Sequence, residues 1–296
     1  MPEIKSVRLA VAQTTVREDP RSSAELRASG AEVRRLMREA RAAGARVVQF
    51  PEGATCFPDK RLLSVHGPDE VGPADWSRLR WDVLGAELAS TALLARELGL
   101  WTVLGSVHRL TPPNRPHNSL YVISDRGRVA TRYDERMLSH TKISYMYAPG
   151  STPVTFEVGG VRFGCALGME AHFPELFGAY ERLDVDCVLF STTGGALGGG
   201  EAFATEIRAH AATNRYWAGF AVPAQHGDVT PAGVIGPDGE WAARCARSRA
   251  PSVAVADLGP QDPASALARP WRRLARAGLY DAHRVEDARS EDRTGF

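Results

Sequence analysis

The sequence predicts an α/β protein in which two β-sheets pack face to face with helices outside. Two observations lead there. From Val7 to Val107 strand and helix patterns alternate, which argues for helices layered on a sheet. Beyond that point, pairs of short strands alternate with further helices, giving eleven or twelve strands in all. Such a mix suits two packed sheets better than one doubly wound sheet. No internal repeat or low-complexity linker divides the chain, so residues 1–258 are read as one domain. Residues 259–296, proline-bearing and then highly charged, read as an arm lying over the surface or on a partner subunit, with a frayed end.

The elements follow in order. Val7–Gln13 is rich in β-branched residues and reads as a strand. Ser23–Ala43 carries Leu26, Val33, Leu36 and Ala40 at helical spacing, and Gly44 stops it. Arg46–Phe50 is a strand followed at once by Pro51-Glu52-Gly53, Asp75–Leu98 a helix, and Trp101–Val107 a third strand. Asn118–Ser124 and Arg128–Tyr133 flank the hairpin signal Asp125-Arg126-Gly127, and Pro153–Val158 and Val161–Leu167 flank Gly159-Gly160. A helix near Pro174–Arg182, a strand Asp186–Phe190, a helix Glu201–Arg215 and a strand Tyr216–Val222 come next. Ala232–Ile235 and Trp241–Ala246 form a third hairpin around Pro237-Asp238-Gly239, and Ser252–Asp257 is the last strand.

Composition excludes several classes. The formal net charge of +1 and the scattered basic residues give no reason to expect nucleic acid or an anionic membrane as partner. There is no run of 18 apolar residues to span a bilayer, and the start MPEIKSVRLAVAQ carries charge where a signal peptide needs its apolar core. A cytoplasmic location is the default expectation. The four cysteines, Cys56, Cys165, Cys187 and Cys245, and the eight histidines show no metal-ligand spacing, so no metal is expected. The Gly-rich segment Thr193–Gly200 lacks the G-K-[ST] ending of a phosphate loop.

The chain's central stretch is Val161–Phe177, VRFGCALGMEAHFPELF: a strand, the tight connection Gly168-Met169-Glu170-Ala171-His172, and a helix opening with proline in its first turn. A turn at the end of a parallel strand is where α/β enzymes display reactive groups. Glu52 sits at another strand end and could serve as a general base. The polar segment RYDERMLSHTKISYMYAPG, residues 132–150, adds Glu135, His140, Lys142 and Tyr145. Each of these taken alone is equally a solvated loop residue.

Together, FPEGATCFP, RYDERMLSHTKISYMYAPG, GCALGMEAHFPELF, IRAHAATNRYW and AGVIGPDGEW, in that order, resemble the signature segments of the nitrilase superfamily, the carbon–nitrogen hydrolases. The resemblance runs from residue 7 to about 257. It implies a four-layer αββα sandwich with two mixed sheets, assembled as a homodimer or higher homo-oligomer, and a cofactor-free site that hydrolyses nitriles, amides or carbamoyl compounds through a Glu-Lys-Cys triad. In that mechanism the glutamate takes the thiol proton, the thiolate attacks the carbon, and the lysine steadies the developing charge.

Glu52 matches the triad's glutamate, but the other two members do not match. The family's lysine stands two residues after the tyrosine of its Y-D-K-R segment, where this chain has Glu135. The family's cysteine stands six before the proline of F-P-E-L, where this chain has Gly168. Lys142 occupies a further polar position that is often glutamate in the family. Cys165, three residues upstream, faces the other side of the strand.

Two carboxylates and one ammonium at Glu52, Glu135 and Lys142 would suit an enzyme performing non-covalent acid–base chemistry on a small nitrogen-containing metabolite, by cyclisation, elimination or dehydration, or condensation. Glu170, His172, His140, Tyr145 and Thr193 are candidate pocket residues beside them. The alternatives are a catalytically inactive homologue that binds a small molecule or pairs with a partner subunit, and an amide or nitrile hydrolase with a non-standard site. The expected partner in any case is a small molecule.

Overall fold

A computed structural model of the chain describes residues 6–195, 199–259, 263–291 and 293–294. The first five residues, the middle of the Gly-rich segment at 196–198, and parts of the C-terminal arm (260–262, 292, 295–296) lie outside the described residues. The main unit, residues 1–260, carries β1 (Val7–Gln13), α1 (Ser23–Ala42), β2 (Val47–Gln49), α2 (Trp81–Leu98), β3 (Trp101–His108), β4 (His117–Ile123) and β5 (Val129–Asp134). It continues with β6 (Thr155–Val158), β7 (Val161–Leu167), α3 (Pro174–Arg182), β8 (Cys187–Ser191), α4 (Gly199–Asn214), β9 (Trp217–Ala221), β10 (Gly233–Ile235), β11 (Trp241–Arg244) and β12 (Ser252–Leu258). The second unit, residues 261–296, contains the helix α5 (Pro263–Arg276).

The strands form two six-stranded sheets, ordered β12-β1-β2-β3-β4-β5 and β11-β10-β9-β8-β7-β6. Both are mixed in the same way: three central parallel strands, β1-β2-β3 or β7-β8-β9, are flanked by antiparallel neighbours. Period-two alternation explains the layering. In β1, Leu9 and Val11 join the core shared with Leu189 and Phe220 of the second sheet. Ala10 and Ala12, on the other face, pack with Val33, Leu36, Met37 and Ala40 of α1 and Leu94 of α2. On the second sheet Gly164 leaves room for the Tyr180 ring of α3, since a Cβ there would stand 2.6 Å from it. One buried polar strut crosses between the sheets: Gln49 of β2 donates to the Phe190 carbonyl at 2.7 Å and to Ser191 Oγ at 3.1 Å.

The α1 helix begins as its sequence dictates, with Ser22 Oγ accepting from the Glu25 amide at 3.2 Å. The predicted helix over 75–98 is corrected. Asp75 caps only a single 3-10 turn, Trp76–Arg78, and Leu79 then turns extended before α2 starts at Trp81. The break has a tertiary cause: Leu79 is buried, and the Arg80 amide bonds to the Pro20 carbonyl at 3.1 Å instead of continuing a helix. Segment 132–150, read as a polar loop, contains a five-residue π-helical turn, Lys142–Met146. π turns are rare and concentrate at functional sites.

Candidate active site

Four buried polar residues from four different segments meet where the strand ends of the first sheet approach β7. Glu52 follows β2 on the turn Pro51-Glu52-Gly53, with Gly53 at φ +64. Gly105 of β3 makes room for this turn, since a Cβ there would lie 2.1 Å from the Pro51 carbonyl oxygen. Glu135 follows β5, its amide bonded to the Asn118 carbonyl at 2.9 Å. Lys142 opens the π-helical turn, and Asn118 points inward from β4 in the same register as Leu120 and Val122. None of the four is more than 6% exposed.

Their hydrogen bonds form a closed clamp. Lys142 Nζ donates to Glu52 Oε1 at 2.5 Å and to Glu135 Oε2 at 2.7 Å. Asn118 Nδ2 donates to the same two oxygens, at 2.8 and 2.6 Å. The Thr193 amide donates to Glu52 Oε2 at 3.0 Å. Within this clamp, Glu135 Oε1 is buried with no donor against it among the described residues.

Two carboxylates share one ammonium, and this sets the electrostatics. Burial raises Glu135 to about 7, Glu52 adds to the rise, and Lys142 and Asn118 hold it back. Burial works against the Lys142 charge, but Glu135 and Glu52 more than reverse this and leave the ammonium held above its ordinary value. A proton on Glu135 belongs on Oε1, because Oε2 already accepts two hydrogen bonds.

That free oxygen faces Gly168. The glycine ends β7 in the left-handed region, at φ +52, and opens the 3-10 turn Gly168–His172. A Cβ at this position would lie 2.7 Å from Glu135 Oε1, 3.1 Å from Lys142 Nζ and 3.3 Å from Glu52 Oε2. The side-chain direction at 168 therefore runs into the centre of the clamp, and the Glu135 carboxyl stands where a larger residue would need space.

A cavity of about 540 Å³ opens above this point, within the range of small-molecule sites. Glu52, Lys142, Gly168 and Thr193 line it, and Glu135 sits immediately behind the wall. Phe57, Met169, Phe203 and Pro223 supply its apolar surface. Lys60 from the loop after Glu52, Ser139 from segment 132–150, and Thr192 and Gly195 at the Gly-rich segment also line it. The segment at Val16 and Glu18 and the turn at Gln225 and His226 complete the lining, and nothing in their composition had marked them.

The other expected pocket residues fall elsewhere. Glu170 is a buried brace: its oxygens accept from Tyr133 Oη at 2.7 and 2.6 Å, the Arg136 amide at 2.7 Å and the Leu167 amide at 2.8 Å. It ties the end of β7 to the segment bearing Glu135, with no side chain in the cavity. His172 pairs with Glu206 at 2.7 Å and stacks on Phe203, His140 is exposed, and Tyr145 packs with the cluster around Leu63 and Met146. Asn118 is the functional residue that sequence reasoning missed. The available signal was an amide on the inward face of an otherwise apolar strand.

All four cysteines are buried and none lines the cavity, with burial pushing Cys56 up to about 12 and Cys165 higher still. Among the described residues no group of three or more His, Cys, Asp or Glu is placed to hold a metal ion. No helix among them is long and apolar enough to cross a membrane.

The architecture defines a sandwich fold of the nitrilase type. The carbon–nitrogen hydrolase family model matches residues 8–266, and the chain belongs to that family, within the nitrilase superfamily. Among solved structures, the fold is similar to a double mutant of the amidase from Nesterenkonia sp. AN1 in complex with acrylamide, at 19% identity and TM-score 0.68, covering 92% of this chain and 99% of that one. Another mutant of the same amidase, with the acetamide moiety of fluoroacetamide covalently added at its active site cysteine, matches at 18% identity and TM-score 0.65, covering 90% and 96%. The C. elegans NitFhit protein matches at 18% identity and TM-score 0.70, covering 95% of this chain and 65% of that protein.

Proposed function

We propose that this carbon–nitrogen hydrolase homologue carries out proton-transfer chemistry without a covalent intermediate, on a small nitrogen-containing molecule. The single observation that carries the reading is the convergence of Glu52, Lys142 and Glu135 Oε1 on the side-chain direction of a glycine. Gly168 stands where the family resemblance places the nucleophile, and a glycine has no group to attack with. The thiols elsewhere are buried and do not line the cavity, so the thiolate chemistry that the family resemblance implies has no sulfur to run through.

What remains is suited to acid–base work. Glu52 faces the cavity as the base. Its Oε1 is held by Lys142 and Asn118, and among the described residues its Oε2 accepts from the Thr193 amide. Glu135, near neutral in its titration, is the acid, with its proton on the oxygen that faces Gly168. A substrate heteroatom in the cavity beside Gly168 meets Glu52 and Lys142, which line it, with Glu135 Oε1 next to the glycine behind them. In an elimination, Glu52 takes a proton from carbon or nitrogen, a double bond forms, and the departing oxygen accepts the Glu135 proton and leaves as water. Cyclisation and condensation use the same pair in the same roles. Lys142 stays charged and stabilises negative charge developing on the reacting oxygen.

The test is turnover across a panel of amides, nitriles and amino-acid-like metabolites, comparing wild type with Glu52→Gln and Glu135→Gln. Loss of about 10²-fold or more in kcat in both variants supports the reading. Turnover indifferent to both substitutions overturns it. A catalytically inactive binder predicts tight binding with no turnover in wild type, which the same panel detects.

A further inference from the structure

The clamp occupies one end of the cavity, and the rest of its wall carries a second, unsatisfied charge. Lys60, on the loop after Glu52, lines the cavity half-buried. Among the described residues its ammonium has no hydrogen bond and no ion pair, although Glu18 lines the same cavity. A half-buried ammonium left without an acceptor is costly in the empty protein and favours any ligand that brings one. Burial and the nearby Lys142 charge both work against the Lys60 proton, so the side chain also lies within electrostatic range of the clamp. Between the two ends the wall is apolar, with Phe57, Met169 and Phe203.

We infer that the ligand of this cavity is a small zwitterion: a carboxylate bound by Lys60, a short apolar skeleton against Phe57, Met169 and Phe203, and an amine or other N–H donor at the Gly168 end facing Glu52 Oε2. The inference rests on the proton-transfer reading for its inner end and adds the substrate class and a specificity-determining residue. The charges agree with it. With Glu135 protonated, Glu52 and Glu18 balance Lys142 and Lys60, so a ligand of zero net charge meets a cavity of zero net charge. A carboxylate at Lys60 gives the unpaired ammonium an acceptor, and a donor at Glu52 Oε2 adds to the one amide bond this cavity-facing oxygen accepts among the described residues. A neutral amide or nitrile of the same length would satisfy only one.

Calorimetry on the full chain tests this with β-alanine, 4-aminobutanoate, 5-aminopentanoate and 6-aminohexanoate, each against its ω-amino amide. At least one acid should bind about tenfold or more tighter than its amide. Lys60→Met should abolish that preference, and Lys60→Arg should keep most of it. The inference is overturned if no acid of the series binds, if acid and amide bind alike, or if the preference survives in Lys60→Met. A parallel NMR titration of Glu135 separates the two claims. Lost carboxylate preference with an intact titration near pH 7 removes only the zwitterion, whereas an intact preference with Glu135 ionised throughout removes only the acid–base reading.

Discussion

At the scale of single residues, the site depends on how one proton is shared among Glu52, Glu135 and Lys142. The folded protein raises the Glu135 carboxyl from an ordinary 4.5 to about 7, so folding takes up a proton between those values. Its contribution to stability is fully present below about pH 4.5 and is lost as pH rises through about 7. Glutamine does not titrate. The stability of wild type relative to Glu135→Gln should therefore fall between pH 4.5 and 7, by a margin on the order of 3 kcal/mol, in urea unfolding at a series of pH values. Lys142→Met leaves two buried carboxylates without their cation, and about 3–5 kcal/mol of stability should go at pH 8. The loss should shrink toward pH 5, where Glu135 is protonated. Gly168→Ala meets both a left-handed backbone and the Glu135 oxygen at 2.7 Å, and should cost about 1–2 kcal/mol from the backbone alone. Gly168→Cys paired with Glu135→Lys removes that close contact and should gain reactivity toward an alkylating agent; an inert double mutant would argue against equating position 168 with the family's nucleophile. Glu52, Glu135 and Lys142 were legible in the sequence because strand ends and motif spacing located them. Asn118 was not, because nothing local separates an inward amide that bridges two carboxylates from one that fills a core. Glu170 was read as a pocket group because it neighbours Gly168 in sequence, but the 3-10 turn directs its carboxylate inward to Tyr133 and the Leu167 amide.

At the scale of elements, two connections set the geometry. Glu170 joins the end of β7 to the segment after β5, and so joins Gly168 to Glu135. Glu170→Ala strands Tyr133 Oη and the Arg136 and Leu167 amides, and should cost roughly 2–4 kcal/mol in urea unfolding at pH 7. The second connection is the π-helical turn that carries Lys142, which periodicity could not reveal because a single widened turn has no repeat to read. The regular elements were legible for the opposite reason. The α1 helix has a capped start, a glycine stop and an apolar stripe, and β7 is bounded by Gly160 and Gly168. The helix predicted over 75–98 failed at Leu79 and Arg80, where contacts with distant residues outweigh local propensity.

At the scale of the whole molecule, the two sheets repeat one mixed pattern and place the clamp at the strand ends of the first sheet, against the β7 turn of the second. The layering was legible because inward and outward residues alternate along β1 and the other central strands, while the sheet order waited on pairings between residues far apart in the chain, such as β1 with β12. Gln49 is a polar link between the sheets, and Gln49→Leu should cost about 1–3 kcal/mol by leaving the Phe190 carbonyl and Ser191 short of a donor. The central claim is that this frame holds a protonatable carboxyl, rather than a nucleophile, at the centre of the site. Carbon-13 NMR titration of the glutamate side chains, with Glu135 assigned by comparison with Glu135→Gln, tests that claim most directly. The predicted result is a Glu135 midpoint near 7, moved further upward in Asn118→Ser, which removes a donor to the carboxylate. A Glu135 carboxylate that stays ionised from pH 5 to pH 9 would contradict the account.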